Sequence, residues 1–306
     1  MYIGIHDEYN HCLEDCLLTY LLQNGIPYCY MYADSWRFFS DTDSLERFGG
    51  IEYNCMFPHE YAVNKILNIQ KINLNTPSLT ELEAYLKENR FVGIHYDAYY
   101  CDWSIAFQKY HMQHYFILNQ ICAHELKGSD PYLKRKKVNL PYHEMLNNQG
   151  QFFLLSGGHI ELHWREVIKY VFDVNEEMFI AMRQFGYNLE RININEYGKK
   201  YCKDITACAL YQNITYVVNS RFNLTKLFYY LARKVRNTYL ESIADKFWNI
   251  AKIWENIKSQ IIKMMVSDTF YRKRRIKIKE QVWMLAEQEE KLLNNIRQFN
   301  KGRFNG

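Results

Sequence analysis

Residues 6–25 of this chain, HDEYNHCLEDCLLTYLLQNG, form the stretch from which the rest of the sequence can be interpreted. Its second half carries leucines at steps of three and four residues, a spacing that predicts an amphipathic helix. This stripe consists of Leu13, Leu17, Leu18, Leu21 and Leu22. Asn24-Gly25 supplies a C-terminal stop. Glu14 and Asp15 lie in the first turn, where carboxylates suit the positive end of the helix dipole.

Cys12 lies at the predicted start of this helix. Backbone N–H groups there favour the anion of a thiol, and the same groups can stabilise an oxyanion beside it. Cys16 lies one turn further along the leucine face, and we interpret it as a packed core cysteine. Most intracellular cysteines are small buried hydrophobic side chains, so this stretch alone leaves Cys12 open as either a nucleophile or a core residue.

Length, charge and hydropathy limit the functional classes. A chain of 306 residues can form two packed domains, or one domain with a large extension. A net charge of +4 gives no reason to expect nucleic acid as a ligand. The sequence has no CxxC pair, no secretory signal at its start and no run approaching about 18 apolar residues. We therefore expect a cytoplasmic protein that does not span a membrane.

The first half of the chain predicts a mixture of helices and strands. Ser78, with Glu81 three residues on, is typical of a capped helix start, and this helix would run to about Asn89. β-branched and aromatic content predicts a buried strand at 91–100 and a strand or hairpin at 114–128. Further predictions are strand or irregular packed chain at 26–39, loops at 41–60 and a short helix around 142–147.

From about residue 160 the pattern becomes helical. No proline follows Pro141, and one predicted helix carries a clear amphipathic stripe. The stripe consists of Phe247, Ile250, Ala251, Trp254, Ile257 and Ile261. The predicted helices are 161–171, 176–185, 224–236, 239–266 and 272–299, with 190–220 mixed. We therefore expect an α+β fold with two domains, residues 1–160 and a largely α-helical domain at 161–306.

A cysteine nucleophile needs a base within hydrogen-bond reach, and that base needs an orienting partner. His114 opens an apolar strand, where its side chain can be held rigidly at a sheet edge. Asp130 precedes a proline that cannot continue the ladder, and a strand–turn–strand of this length could return it to His114. Alone, His114 could be a core histidine and Asp130 could cap a turn. Together with Cys12, the trio favours catalysis.

Two segments carry a resemblance to a known family. NHCLEDCLLTYLLQNG (10–25) and HYFILNQICAHELKGSDPY (114–132) resemble the nucleophile helix and the histidine-strand-aspartate block of papain-like proteins. The layout, with a His-Cys pair at 11–12, is more similar to the butirosin H-type acyltransferases of natural-product assembly. FWNIAKIWENIKSQI (247–261) and WMLAEQEEKLL (283–293) resemble the helical second part of that family. The protease-like, amide-forming enzymes of the closthioamide type (CtaG) are also similar.

This resemblance implies a papain-like fold for residues 1–160 and a role for each of the three residues. Cys12 would be the nucleophile, His114 the base and Asp130 the group that orients the base. Papain-like hydrolases usually place a glutamine a few residues before the cysteine to complete the oxyanion hole, and this chain lacks it. His6 and Asn10 stand in that region and are our candidates for the second donor.

The resemblance also implies a reaction and its partners. An acyl group would pass from the 4'-phosphopantetheine thioester of an acyl or peptidyl carrier protein, through Cys12, to a small amine. The chain itself would need no cofactor. A basic run would dock the acidic carrier, although such runs are usually only solvated surfaces. The run consists of Lys134, Arg135, Lys136 and Lys137.

Alternative functions remain open from the sequence. A cysteine peptidase or amidase would use the same three residues with water as the acceptor, and a non-catalytic protein could bind a partner through its helical half. His111 and His114 could join Cys101, Cys122 or His124 on a metal, but the spacings match no zinc pattern, so we expect no metal. The basic run at 272–279 comes with no nucleic-acid motif. The aromatic helices at 223–266 fit a core or a homodimer interface better than a substrate tunnel.

Overall fold

The computed structural model describes residues 2–41, 45, 48–49, 62–158, 164–172, 176–201, 205, 208–267 and 272–303. The chain divides into two compact units. The first comprises Met1–Met31 and Glu60–Leu162, and the second comprises Tyr32–His59 and His163–Gly306. The domain boundary expected near residue 160 lies outside the described residues. That residues 32–59 group with the helical half was not predicted.

The strands are β1 Phe39–Ser40, β2 Phe48–Gly49, β3 Ile69–Leu74, β4 Phe91–Asp97, β5 Gln113–Cys122, β6 Glu125–Asp130, β7 Arg135–Pro141 and β8 Gln151–Gly157. Strands β1 and β2 pair with each other in the second unit, and the other six form one antiparallel sheet in the first. Their order is β3-β8-β4-β5-β6-β7. All neighbouring strands are antiparallel. The C-terminal ends of β4 and β6 therefore lie at the same end of the sheet as the N-terminal ends of β5, β7 and β8.

The first helix forms as its leucine spacing predicts. Helix α1 spans Cys12–Gln23, and the chain turns at Gly25, whose φ of +69° suits a residue without a Cβ. The side chain of Glu14 accepts a hydrogen bond of 2.6 Å from the backbone N–H of His11 and so caps the start. Four of the five leucines are buried, whereas Leu22 is 40% exposed and does not belong to the core stripe.

Most other predictions for the first unit are confirmed. Helix α2 spans Leu79–Lys87 with the Ser78–Glu81 capping box, and α3 spans Tyr142–Asn147. The 114–128 segment is a hairpin of β5 and β6. The strand interpretation of 26–39 is wrong over most of its length, because Tyr28–Asp34 form a 3₁₀ helix.

Strands β3, β7 and β8 were missed. β3 and β7 lie at the two edges of the sheet and carry exposed polar and charged side chains, so neither shows the continuous apolar run of a central strand. In β7 the exposed basic residues also hid the strand, because we interpreted them as a docking site or a solvated surface.

The second unit is largely helical. Its helices are α4 Trp164–Val171, α5 Glu177–Arg191, α6 Ile194–Lys200, α7 Ala209–Val235, α8 Thr238–Met265 and α9 Arg272–Arg303. The six residues of the predicted stripe on α8 are all buried. Helix α7 begins at Ala209 rather than Leu224, because apolar residues such as Leu210, Ile214 and Val217 also pack inward.

The α+β class is confirmed. The loops predicted at 41–60 fall mostly outside the described residues, as does the start of the helix predicted at 161. Within the described ranges, no helix has both the length and the apolar content needed to cross a bilayer.

Candidate active site

Cys12 is the first residue of α1 and is partly exposed. The N–H groups of a first helical turn have no partner inside the helix, and their partial positive charge favours an anion. Cys16 lies one turn deeper and is 0% exposed. Burial, together with the negative charges of Cys12 and Asp130, raises the pKa of Cys16 well above its ordinary value. The two cysteines of this helix therefore lie in opposite environments, as the leucine spacing predicted.

His114 and Asp130 meet where β5 begins and β6 ends. The side chain of His114 is 4% exposed, and its Nε2 lies 2.5 Å from Oδ2 of Asp130. The β5–β6 hairpin produces this contact, because Ile117 pairs with Ser129 and the last residue of β6 returns beside the start of β5. The strand–turn–strand geometry expected from the sequence is thus present.

Three donors hold the carboxylate of Asp130 in place. Besides His114, the indole Nε1 of Trp103 donates to Oδ2 at 2.9 Å, and the backbone N–H of Leu133 donates to Oδ1 at 3.0 Å. Burial acts to raise the pKa of Asp130, but these hydrogen bonds and the charge of His114 outweigh it and lower the pKa. Trp103 was missed, because it precedes Asp130 by 27 residues in an irregular segment that carries no motif.

The other side of the His114 ring contacts the Cys12 thiol through a hydrogen bond. Since Nε2 faces Asp130, Nδ1 is the ring nitrogen left for Cys12. Burial acts to lower the pKa of His114, but the hydrogen bonds to Asp130 and Cys12, with their negative charges, outweigh it and raise the pKa. An imidazolium beside a thiol stabilises the thiolate. The structure therefore brings together the three residues that the sequence singled out.

Of the two candidate oxyanion donors, His6 binds the carboxylate of Asp15. Nδ1 of His6 lies 2.6 Å from Oδ2, and the backbone N–H of Asp7 donates to Oδ1 at 3.0 Å. Burial raises the pKa of Asp15 to about 6, against the opposing effect of these hydrogen bonds. Asp15 therefore does more than face the helix dipole, since it connects His6 and Asp7 to α1.

The ring of Tyr132 lies between the His6–Asp15 pair and the His114–Asp130 pair. Its centroid lies 5.8 Å from that of His6 and 6.4 Å from that of His114, in edge-on contact with both. His6 is thus adjacent to the His114 side of the site, and Nε2 is the ring nitrogen that does not face Asp15. Asn10 is only 2% exposed, so its carboxamide does not face an open surface.

The basic run begins directly after Asp130. Lys134 closes the turn with a φ of +54°, and Arg135, Lys136 and Lys137 open the edge strand β7, all with exposed side chains. Arg135 is the Cα partner of Asp130 in the β6–β7 ladder, so the run lies next to the site. Lysines on an edge strand also discourage pairing with another sheet, which gives these residues a structural explanation as well as a docking one.

His111 does not join this site. Its Nδ1 lies 2.6 Å from Oδ2 of Asp97, so it forms a separate histidine–carboxylate pair. Among the residues that the structure describes, no group of three or more histidine, cysteine, aspartate or glutamate side chains could hold a metal ion. The metal alternative therefore gains no support in this part of the chain.

Comparison with models of protein families gives no match, and no curated protein matches this chain. The chemistry must therefore be inferred from the geometry. A partly exposed thiol at a helix start, a buried imidazole bonded to it and a carboxylate held by three donors are the parts of a nucleophilic cysteine site. Such a site can attack an acyl carbon, hold the acyl group as a thioester and pass it to a second nucleophile.

Proposed function

We propose that this chain is an amide-forming acyltransferase with a papain-like first unit, in which Cys12, His114 and Asp130 act as nucleophile, base and orienting group. One observation carries the proposal: the buried ring of His114 is hydrogen-bonded to Asp130, and a hydrogen bond with Cys12 also raises its pKa. The resemblance to the butirosin H-type acyltransferases, with their helical second part, supports transfer over simple hydrolysis.

In the first half-reaction, the Cys12 thiolate attacks the carbonyl carbon of a carrier-bound thioester. A new C–S bond forms to Cys12 as the C–S bond to phosphopantetheine breaks. The leaving thiolate takes the proton of the His114 imidazolium. The raised pKa of His114 supports this assignment, because the ring then holds the proton before the attack. Asp130 keeps the ring oriented through Nε2 while Nδ1 serves the reacting sulfur.

In the second half-reaction, a neutral amine attacks the acyl-Cys12 thioester. His114 takes the proton that the amine loses, the C–N bond forms and Cys12 leaves as a thiolate. One thioester is exchanged for another at little cost in free energy, and conversion of a thioester into an amide is downhill. The reaction therefore needs no ATP.

Both tetrahedral intermediates carry an oxyanion that needs two donors. The backbone N–H of Cys12, at the first position of α1, is the first candidate. We assign the second to Nε2 of His6, because Asp15 fixes the His6 ring through Nδ1. When the His6–Asp15 pair holds the extra proton, on either partner, Nε2 carries a hydrogen and can donate. Asn10 is the weaker candidate, since its side chain is buried.

The donor would be an acidic acyl or peptidyl carrier protein, and Lys134–Lys137 would guide it to Cys12. The run is exposed and begins four residues after Asp130, so a docked carrier could present its phosphopantetheine thioester at the site. We infer a cytoplasmic location, where thiols are kept reduced.

The deciding experiment offers the protein an acyl-carrier thioester with and without small amines, and follows both products by mass spectrometry. The proposal predicts an acyl adduct on the protein and, with amine present, more amide than free acid. If free acid dominates at every amine concentration, the same three residues serve a hydrolase, a cysteine peptidase or amidase. If neither adduct nor product forms, the catalytic assignment is wrong.

A further inference from the structure

One oxygen of the Asp130 carboxylate is shared by two donors from different parts of the chain. Nε2 of His114 lies 2.5 Å from Oδ2, and the indole Nε1 of Trp103 donates to the same Oδ2 at 2.9 Å. The other oxygen, Oδ1, accepts from the backbone N–H of Leu133. Trp103 therefore acts on the atom through which Asp130 holds the base, and the mechanism above gives this contact no part in proton transfer.

Trp103 is held in place by its neighbours in the segment between β4 and β5. Cys101 and Ala106, on either side of it, are buried. The backbone N–H of Ser104 donates to the carbonyl of Cys101 at 2.8 Å, which closes the turn that carries Trp103. The indole ring packs edge-on against Phe116, with centroids 5.4 Å apart. Packing as well as the hydrogen bond therefore keeps the indole N–H at Asp130.

The indole N–H of Trp103 is a donor that stays the same at every working pH, because tryptophan donates only and does not titrate. Burial acts to raise the pKa of Asp130, and the hydrogen bonds from His114, Leu133 and Trp103 together lower it. The bond from Trp103 thus offsets part of the negative charge on Oδ2. A carboxylate oxygen that already serves one donor stabilises an imidazolium at its second position less strongly.

Other titratable side chains also interact electrostatically with the His114–Asp130 pair. They are Cys16 on α1, His95 on β4 and Cys101 in the segment after β4. Burial raises the pKa of both thiols and lowers that of His95, so all three are uncharged at neutral pH. The protonation of His114 is therefore governed by its two charged hydrogen-bond partners.

Acylation of Cys12 changes the balance at His114. Burial acts to lower the pKa of His114, but the hydrogen bonds and charges of Asp130 and Cys12 outweigh it and raise the pKa to about 10. The free protein therefore holds the proton that the leaving thiolate needs. A thioester sulfur carries no charge, so in the acyl-enzyme the contribution of Cys12 is lost while those of Asp130 and of burial remain.

The second half-reaction requires a neutral His114 ring. The amine nitrogen attacks the acyl carbon, the C–N bond forms as the C–S bond to Cys12 breaks, and Nδ1 of His114 takes the proton that the nitrogen loses. A ring that is protonated at both nitrogens cannot take that proton. The acyl-enzyme would therefore stall if Asp130 stabilised the imidazolium too strongly.

We propose that Trp103 is a positioning residue for the second half-reaction: its N–H weakens the stabilisation of the imidazolium by Asp130, so that His114 is neutral once Cys12 carries the acyl group. The amine can then be deprotonated at neutral pH, and the imidazolium–thiolate pair forms again as the amide is released. This inference rests on the proposed acyltransferase function and adds a control on its base. The competing explanation is structural: Trp103 packs against Phe116 and keeps Asp130 in place, and does nothing more.

The first test follows the protonation of His114 without catalysis. Cys12→Ala removes the thiolate charge, as acylation does, and NMR of the ring nitrogens reports the titration. We expect a neutral ring at neutral pH in this variant. Adding Trp103→Phe, which keeps an aromatic ring but removes the N–H, should move the titration up by about one pH unit, since hydrogen bonds to charged groups have that strength. Equal titration in the two proteins would overturn the proposal.

A matched control and a milder change guard against a folding defect. Trp283→Phe removes an indole N–H that donates to the carbonyl of Arg183 in the second unit, so it should leave the His114 titration unchanged. Uniform replacement of tryptophan by fluorotryptophan keeps every ring and makes each N–H a stronger donor. In Cys12→Ala this replacement should move the titration to lower pH. An unchanged or higher titration would contradict the proposal even if Trp103→Phe does not fold.

Single-turnover kinetics then separates the two half-reactions. A small thioester gives the rate of acylation, and trifluoroethylamine, a weak base that stays uncharged near neutral pH, gives the rate of aminolysis. In Trp103→Phe, aminolysis at neutral pH should fall about tenfold and its acidic limb should move up by about one pH unit. Acylation, which starts from the protonated ring, should fall less. Equal loss in both steps, with no shift of the pH profile, would show that Trp103 only keeps Asp130 in place.

The two proposals can fail separately. If adduct and amide form but Trp103→Phe shifts neither the titration nor the pH profile, the acyltransferase function stands and the role of Trp103 fails. If the titration shifts as expected but no adduct forms on Cys12, the acyltransferase function fails, and with it the role of Trp103 in aminolysis.

Discussion

Two buried pairs of opposite charge, one in each unit, differ in what surrounds them. His114–Asp130 lies in the first unit, and Arg221–Glu289 lies in the second. Burying charges costs free energy unless partners satisfy them, so each pair needs a reason to exist. The groups to which each pair is hydrogen-bonded indicate that reason.

The Arg221–Glu289 pair is fully buried and, in the part of the chain that the structure describes, is hydrogen-bonded only to other buried or backbone groups. Glu289 accepts two hydrogen bonds from Arg221 and one from the indole of each of Trp36 and Trp254. Nη1 of Arg221 donates to the carbonyl of Arg37 and to the hydroxyl of Ser220. These bonds use the full acceptor capacity of a carboxylate. This pair joins α7, α8, α9 and residues 36–37 and is structural.

The His114–Asp130 pair ends at the sulfur of a cysteine that is partly exposed. Asp130 is satisfied by three donors, as a structural carboxylate would be, but the other nitrogen of His114 faces a partly exposed thiol at a helix start. The comparison teaches that burial of an ion pair does not identify a site. The partly exposed thiol at one end of the His114–Asp130 pair is what makes it a candidate site.

The largest effect should follow removal of that nucleophile. Cys12→Ala should lower turnover by roughly 10⁴-fold or more, because no other group can hold the acyl intermediate. Its stability should barely change, since the side chain is partly exposed. Cys122→Ala is the matched control: it removes another partly exposed thiol at the far end of β5 and should keep full activity. Activity retained in Cys12→Ala would remove the distinction between the two pairs.

Within the His114–Asp130 pair, the two partners should differ in importance. His114→Ala should reduce turnover nearly as far as Cys12→Ala, because proton transfer to and from sulfur is lost. Asp130→Asn should reduce it less, since the aspartate orients the ring and supports its charge without moving a proton. Single-turnover kinetics with a thioester donor measures both. A larger loss in Asp130→Asn than in His114→Ala would contradict the assigned roles.

Substitutions in the Arg221–Glu289 pair should change the free energy of unfolding and leave turnover unaffected. Glu289→Leu leaves the Arg221 charge buried without its partner and should cost roughly 3–5 kcal/mol of the free energy of unfolding. The double variant Arg221→Met, Glu289→Leu should recover most of that loss. The control Glu290→Gln breaks only the partly exposed pair with Arg183 and should cost about 1 kcal/mol or less. Urea unfolding at neutral pH measures all three, and turnover per folded molecule should stay constant.

The His114 charge should also persist to unusually high pH. Its folded-state pKa is raised from 6.5 to about 10. The stability that this charge contributes is therefore complete below pH 6.5 and is lost as the pH rises through about 10. NMR of the ring nitrogens should show an imidazolium at neutral pH, and in Asp130→Asn the titration should move to lower pH. A neutral His114 ring at pH 7 in the unmodified protein would contradict this account.

The smallest effect should come from the basic run. Reversing Lys134, Arg135 and Lys137 to glutamate should raise the KM for a carrier-bound donor several-fold, because charge pairs at a rim mainly steer encounter. A small thioester surrogate should be unaffected. Glutamates still protect the edge strand β7 from pairing, so the reversal tests docking separately from edge protection. Equal loss on both donors would mean that these residues support the fold.

Short sequence patterns predicted those elements of the fold that depend on residues close together in the chain. The leucine stripe determined α1 and distinguished Cys12 from Cys16, and the Asp130-Pro131 stop placed the carboxylate at a strand end. The order of Cys12, His114 and Asp130 was enough to propose the site, because a hairpin of β5 and β6 brings Asp130 back beside His114.

Long-range contacts could not be predicted in this way. Trp103 donates to Asp130 across 27 residues, and His6 holds Asp15 across nine. Glu289 is bonded to Trp36 across 253 residues. Nothing near these residues in the sequence indicates their partners, since the contacts arise only when separate elements pack.

Trapping of the acyl-enzyme tests the central claim most directly. The protein is mixed briefly with a small thioester, quenched in acid and digested, and each cysteine peptide is weighed. We predict that the acyl mass appears on the Cys12 peptide, that added amine removes it, and that Cys12→Ala never acquires it. An acyl group on Cys122 instead of Cys12, or no acyl group on any cysteine, would contradict the assignment of this site as an acyl-transfer centre.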